Sequence, residues 1–175
     1  SANPALFAAP RRDTSGRTRR PMTAPVIRAA AAGDRKALDE LYGAAFDEPY
    51  PAPVLNLLLQ TLGAWCLVAE VPADRGLALA GFAIARVAVG ECEILTLGVA
   101  PGHRRQGVGR ALVRAVRAEA SRAQATVVFL EVGEDNEAAR ELYLEAEFEV
   151  VGRRPDYYRR ADRSRIAALI MRCAV

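Results

Sequence analysis

The sequence has a single histidine, His103, and only three cysteines, Cys66, Cys92 and Cys173, which stand far apart. A zinc site draws on several such ligands at close spacing, so no metal is expected. No CxxC pair is present, and each cysteine sits among apolar residues. They read as buried free thiols in a reducing, cytoplasmic compartment. No apolar run approaches the ~18 residues of a membrane span, and no secretory apolar core stands near the start. The folded part also lacks net positive charge. The total is +3, but residues 1–21 hold five arginines (Arg11, Arg12, Arg17, Arg19, Arg20) against Asp13 alone, or +4, which leaves −1 for the rest. Nucleic acid is therefore not the expected partner, and neither is a membrane.

What is present suits one domain. A chain of 175 residues with 51% apolar content can bury a substantial core. Residues 1–21 are polar, Arg-rich and broken by Pro4, Pro10, Gly16 and Pro21, so they read as a disordered tail before a domain over 22–175. Residues 25–30 read as a first strand. A helix follows, with Asp34 as its N-cap and Leu38, Leu41, Tyr42, Ala45 and Phe46 at helical spacing. Residues 47–51, with Pro49 and Pro51, break it, and a short helix over 52–62 comes next. Strands over 65–71, 79–89 and 92–99 form an antiparallel meander, the last two joined at Gly90 and Glu91. Gly98, inside the third of these, marks a bulge or a close backbone approach.

The stretch from Leu95 to Val113, LTLGVAPGHRRQGVGRALV, organises the chain. An apolar strand passes through Pro101 into the basic turn Arg104-Arg105-Gln106-Gly107-Val108-Gly109 and then a helix. Backbone N–H groups converge at such a helix N-terminus, and glycines admit an anion closely. The helix keeps Val108, Leu112, Ala115 and Val116 on one face, with Arg110, Arg114 and Arg117 on another. A lone Gly-x-Gly more often closes a tight corner. Here a strand with an internal glycine leads in, two arginines precede the glycines, and a helix starts at once. Neither the nucleoside-triphosphate turn nor the dinucleotide fingerprint is present, so the arrangement fits a diphosphate held mostly by backbone. Residues 126–132 form a buried strand parallel to the third meander strand, with a right-handed crossover. A helix over 137–146, a strand over 148–152, a polar Arg-rich link over 153–165 and a strand over 166–173 complete the chain.

RRQGVG after LGVAP resembles the acetyl-CoA turn of the GCN5-related N-acetyltransferases (GNAT). FLEVGEDNEAARELYLEAEFEVVGRRPDYY, with the later ALIM, resembles the RimI branch of that family, which acetylates the N-terminal amine of a small-subunit ribosomal protein. The likeness covers roughly residues 24–172. It implies an α/β fold with a mixed, mostly antiparallel sheet, splayed at the acetyl-CoA site and flanked by helices. It also implies roles. Leu97, Gly98 and Val99 line the splayed strand along the pantetheine arm, with the Val99 N–H facing the thioester carbonyl. Arg104, Arg105, Gln106, Gly107, Val108, Gly109 and Arg110 hold the pyrophosphate. Glu131 is the general base, Asn136 a cofactor contact and Tyr143 the general acid. Acetyl-CoA is the co-substrate, no metal is involved, and the acceptor is a protein N-terminus.

The residues themselves leave plainer readings open. Glu131 alternates with Val127 and Phe129 and could be a strand-end acid reaching solvent. Tyr143 lies on an apolar helix stripe and could be core, and Asn136 could cap the helix that follows. Arg153, Arg154, Arg159 and Arg160 read as a solvated rim, and Tyr157 and Tyr158 as packing or as a wall for an acceptor peptide. The chemistry itself favours an α-amine, with a pKa near ~7.8, over lysine near ~10.4: the gap is ~3.5 kcal/mol of deprotonation. Three departures touch the acceptor side or its neighbourhood. Tyr50 stands where the branch usually has Trp, Gly133 where it has Arg, and Ala167 where it has Asp. A fourth is the helix end Ala146-Glu147-Phe148, which lacks the usual glycine and is expected to be rebuilt. A small-molecule amine, or a CoA-binding regulatory role without turnover, are the alternatives.

Overall fold

The structure, a computed structural model, describes residues 24–46, 53–74, 76–159 and 164–175. The tail over 1–21, the break over 47–51, Tyr50 and Arg160 lie outside the described residues. Seven strands and four α-helices are present among the described residues: β1 (Val26–Ala29), α1 (Arg35–Ala45), α2 (Pro53–Leu59), β2 (Ala64–Ala73), β3 (Gly76–Ala88), β4 (Glu91–Val99), α3 (Val108–Arg122), β5 (Val127–Gly133), α4 (Glu137–Glu145), β6 (Glu149–Arg159) and β7 (Arg165–Ala174). They build one sheet in the order β1-β2-β3-β4-β5-β7-β6. Only β4 and β5 run parallel; the other pairs are antiparallel. None of the described helices is long and apolar enough to cross a membrane.

Alternation along the strands feeds two cores. Leu67, Ala69, Ala83, Ala85, Ile94, Leu130 and Val132 face α3, whose Val108, Leu112, Val113 and Val116 are buried, and α4 through Tyr143. Cys66, Val68, Phe82, Ile84 and Leu95 face the other way, against Leu38, Leu41, Tyr42 and Ala45 of α1 and Leu55 and Leu58 of α2. Helices thus flank both faces, as expected. The three thiols are free and buried, and burial pushes those of Cys66 and Cys92 up to about 12.

Four local expectations change. The polar link over 153–165 is strand for much of its length, because β6 runs on to Arg159 and β7 begins at Arg165. Asp34 precedes α1 but does not cap it with its side chain. Its carboxylate instead takes two bonds from Arg28, at 2.6 and 2.9 Å, and one from the Ala31 N–H at 2.7 Å. The bulge in β4 falls at Leu95, skipped between the pairs Ile84↔Thr96 and Ala85↔Ile94. Gly98 marks the close approach: a Cβ there would lie 2.6 Å from Cε1 of Phe82 and 3.0 Å from Cβ of Ala45. Finally, the end of α4 is not rebuilt. Glu147 itself adopts the left-handed conformation, φ 68°, and the Phe148 N–H still reaches the Tyr143 carbonyl at 3.0 Å. A non-glycine residue accepts this at a cost of ~1 kcal/mol.

Two expectations follow. The Arg28 guanidinium, aided by the Ala31 N–H, holds the Asp34 carboxyl down at about 2, against ~3.9 in an unfolded chain. A depressed folded value stabilises above the unfolded value and is lost as pH falls towards the folded one. In urea melts, Asp34→Asn should therefore be less stable than wild type near neutral pH, with the gap closing between ~4 and ~2; a gap independent of pH would contradict this. Gly98→Ala should lower the unfolding free energy by ~1–3 kcal/mol through overpacking against Phe82, and unchanged stability would refute the close approach.

Candidate active site

Pairing between β4 and β5 stops at Ile94↔Leu130, while β4 continues to Val99 and β5 to Gly133. The two strands part, and a slot opens through the sheet. The Ala100 N–H bonds the Ala80 carbonyl on the β3 side at 2.8 Å. Because strand N–H groups alternate in direction, those of Leu97 and Val99 point away from β3 and into the slot.

At the mouth of the slot lies the glycine turn. Arg105 and Gly107 both have left-handed backbones, φ 57° and 81°, an alternation that gathers successive N–H groups into a concavity. The first hydrogen bond closing α3 runs from Ala111 to the Gly107 carbonyl, 2.9 Å. The N–H groups of Val108, Gly109 and Arg110 have no carbonyl one turn earlier to reach. Gly107 is needed for its φ, since nothing lies within 4 Å of a Cβ built there. Gly109 is needed for space, since its Cβ would meet Leu142 of α4 at 3.0 Å.

The long side chains of the turn grip the protein. Arg104 donates to the carbonyls of Val99 (3.3 Å) and Ala45 (2.8 Å), joining the end of β4 to the end of α1. Arg105 pairs with Glu141 at 2.7 Å, Gln106 donates to the Gly102 carbonyl at 2.9 Å, and Arg110 pairs with Glu145.

Glu131 and Tyr143 lie on opposite faces of the sheet. Tyr143 is buried in the core shared with α3 and packs on Phe148, ring centroids 5.6 Å apart. Burial pushes its hydroxyl above the ordinary tyrosine range, so it stays protonated. Glu131 alternates with Leu130 and Val132 and so projects from the other face, where it is 7% exposed. Asn136 sits at the N-terminus of α4 and caps it, its Oδ1 accepting from the Ala139 N–H at 3.2 Å.

Sequence reasoning missed what surrounds Glu131. Arg154, read as a solvated rim residue, places Nε 3.1 Å from Glu131 Oε1. The Tyr157 hydroxyl also bonds Glu131; burial first, then that bond, push it up to about 12. The guanidinium of Arg154 lies 5.4 Å from the Tyr157 ring centroid. A cavity of about 270 Å³ opens on this face, bordered by Arg86, Glu93, Phe129, Glu131, Arg154 and Ile170. Rim arginines look alike in sequence. The one available signal was the number of residues between Glu131 and Arg154, which a strand–helix–strand return can bring side by side. Of its companions, Arg153 pairs with Glu134 at 2.7 Å.

Comparison with known proteins identifies the family of this fold. Residues 35–148 match the model of the Acetyltransferase (GNAT) family. The chain is 35% identical over 144 residues to the N-alpha-acetyltransferase RimI of Mycobacterium tuberculosis, covering 78% of this chain and 87% of that protein. It is 36% identical over 93 residues to the ribosomal protein bS18-alanine N-acetyltransferase of Escherichia coli K12, covering 53% and 62% of the two chains. The crystal structure of the Escherichia coli ribosomal-protein-S18-alanine N-acetyltransferase superposes with a TM-score of 0.76 at 26% identity, covering 86% of this chain and 94% of that one. With its split sheet and glycine turn, this chain belongs to the GNAT family of acetyltransferases.

Proposed function

We propose that residues 22–175 form a catalytic unit that transfers acetyl from acetyl-CoA to the α-amine of a protein N-terminus, and that a ribosomal protein beginning with alanine is such an acceptor. The carrying observation is the parting of β4 and β5 after Ile94↔Leu130, which leaves the Leu97 and Val99 N–H groups without a strand partner; a buried carboxylate, Glu131, on one face of the sheet and a buried phenol, Tyr143, on the other support the reading. The family membership and the names of the relatives support the same reaction.

In this reading the diphosphate of CoA rests on the N–H groups at the start of α3, with Gly107 and Gly109 admitting it closely. The pantetheine arm follows Leu97, Gly98 and Val99 along the open edge of β4, and Asn136 borders it. The acceptor amine arrives on the face of Glu131, which takes its proton directly or through a water. The neutral amine nitrogen then bonds the thioester carbon, the Val99 N–H donates to the oxyanion, and the second proton leaves the nitrogen through water, from which the Tyr143 oxygen regains the proton it later gives up. As the tetrahedral intermediate collapses, the C–S bond breaks and the Tyr143 hydroxyl protonates the sulfur. Burial makes Tyr143 a weaker acid, but a thiolate in the same dry slot is penalised alike. No covalent enzyme intermediate is needed.

Thiol release with acetyl-CoA and an alanine-starting peptide, with mass spectrometry of the product, tests this. Acetylation should fall on the α-amine and vanish when that amine is blocked. Tyr143→Phe should lower kcat by ~10²-fold with little change in KM for acetyl-CoA, and Glu131→Gln should lower it similarly. Wild-type turnover in either variant removes that residue from its role, and preference for small amines over peptides overturns the acceptor.

A further inference from the structure

We infer that Arg154 is a positioning residue for the transfer: its guanidinium holds the buried Glu131 carboxylate at one place and angle beside the slot. The inference rests on Glu131 being the base.

Glu131 is an awkward carboxylate. Its side chain is 8% exposed, between Phe129 two residues before it and Ile170, its partner on β7. A general base must present its carboxylate at a fixed position and orientation to the amine, and a buried carboxylate is held so by the groups it bonds. The elements packed around Glu131 leave one cation for that task among the described residues. From β6 come Arg154, in contact at 3.1 Å, and the Tyr157 hydroxyl, a neutral donor. From β4 comes Glu93, a second carboxylate across the cavity, and β3 supplies Arg86, which is held by Glu93 at 2.7 Å. On β7 the nearest cation on this face, Arg172, is taken by Glu149 at 3.0 Å.

The backbone of β6 is shaped to make this contact. Between the pairs Arg154↔Ala168 and Tyr158↔Ile166, β6 carries two residues more than β7. Asp156 there adopts a left-handed backbone, φ 53°. The bulge lets Arg154 and Tyr157 converge on one carboxylate instead of alternating across the strand. Arg154 itself is 44% exposed, so its replacement leaves the core intact.

The test is kcat for the peptide acceptor and KM for acetyl-CoA in wild type, Arg154→Gln, Arg154→Lys, Glu131→Gln and the double variant Arg154→Gln/Glu131→Gln. Arg154→Gln should lower kcat by ~10-fold with KM for acetyl-CoA unchanged. Arg154→Lys should restore most of that loss, because it keeps a cation beside Glu131. In the Glu131→Gln background the Arg154→Gln change should cost nothing further, because the two residues act as one unit. A purely structural role would raise KM for acetyl-CoA, or cost as much in the Glu131→Gln background as in wild type, and either result, or wild-type kcat in Arg154→Gln, overturns the inference. If Glu131→Gln keeps wild-type kcat, the base assignment fails. If it is impaired while Arg154→Gln is not, only the role of Arg154 fails.

Discussion

The structure depends on a place where hydrogen bonding stops. β4 and β5 are parallel neighbours for four residue pairs and then separate after Ile94↔Leu130. An interior sheet rarely leaves main-chain donors unpaired, because each buried orphan costs about as much as a lost hydrogen bond. Here the unpaired donors of Leu97 and Val99 are confined to the end of the sheet beside a helix N-terminus. The glycine turn follows directly from the end of β4, Glu131 is the first residue of β5 beyond the last pair with β4, and Tyr143 is buried on the opposite face of the sheet.

Holding the gap open requires bracing, and the charged side chains supply much of it. Arg104 ties the Val99 carbonyl to the end of α1, while Arg105 and Arg110 link the start of α3 to Glu141 and Glu145 of α4. The latter pairs are exposed and individually weak, but they run between the same two helices that Gly109 allows to approach within side-chain contact of Leu142. Packing sets the spacing, and the ion pairs orient it. On the opposite face, α1 and α2 cover β2 to β4 and leave the region around β5 to charged residues. The two substrates of a direct transfer would thus reach one slot from opposite sides without competing for space.

Much of this was legible in the sequence, because local signals and the fold agree. The meander, the crossover helix and the turn follow from alternation, Gly98, Pro101 and the Gly107–Gly109 pair, each of which has a steric reason in the structure. Non-local partnerships were not legible. Asp34 reads as a helix cap until Arg28, a neighbour in space, takes its carboxylate. Residues 153–159 look like a polar link because an edge strand with a bulge has no clean two-residue period. The contact of Arg154 with Glu131 depends on that bulge, so it was invisible for the same reason. The RRQGV arginines illustrate the same point: spacing alone does not show that Arg104 reaches the Val99 and Ala45 carbonyls or that Arg105 pairs with Glu141.

The account is tested most directly by a crystal structure of the protein with acetyl-CoA bound. It predicts the diphosphate on the main-chain N–H groups at the start of α3, and the thioester carbonyl within hydrogen-bond distance of the Val99 N–H, with Glu131 across the slot. A cofactor lodged on the face of Glu131, or away from the glycine turn, would contradict it.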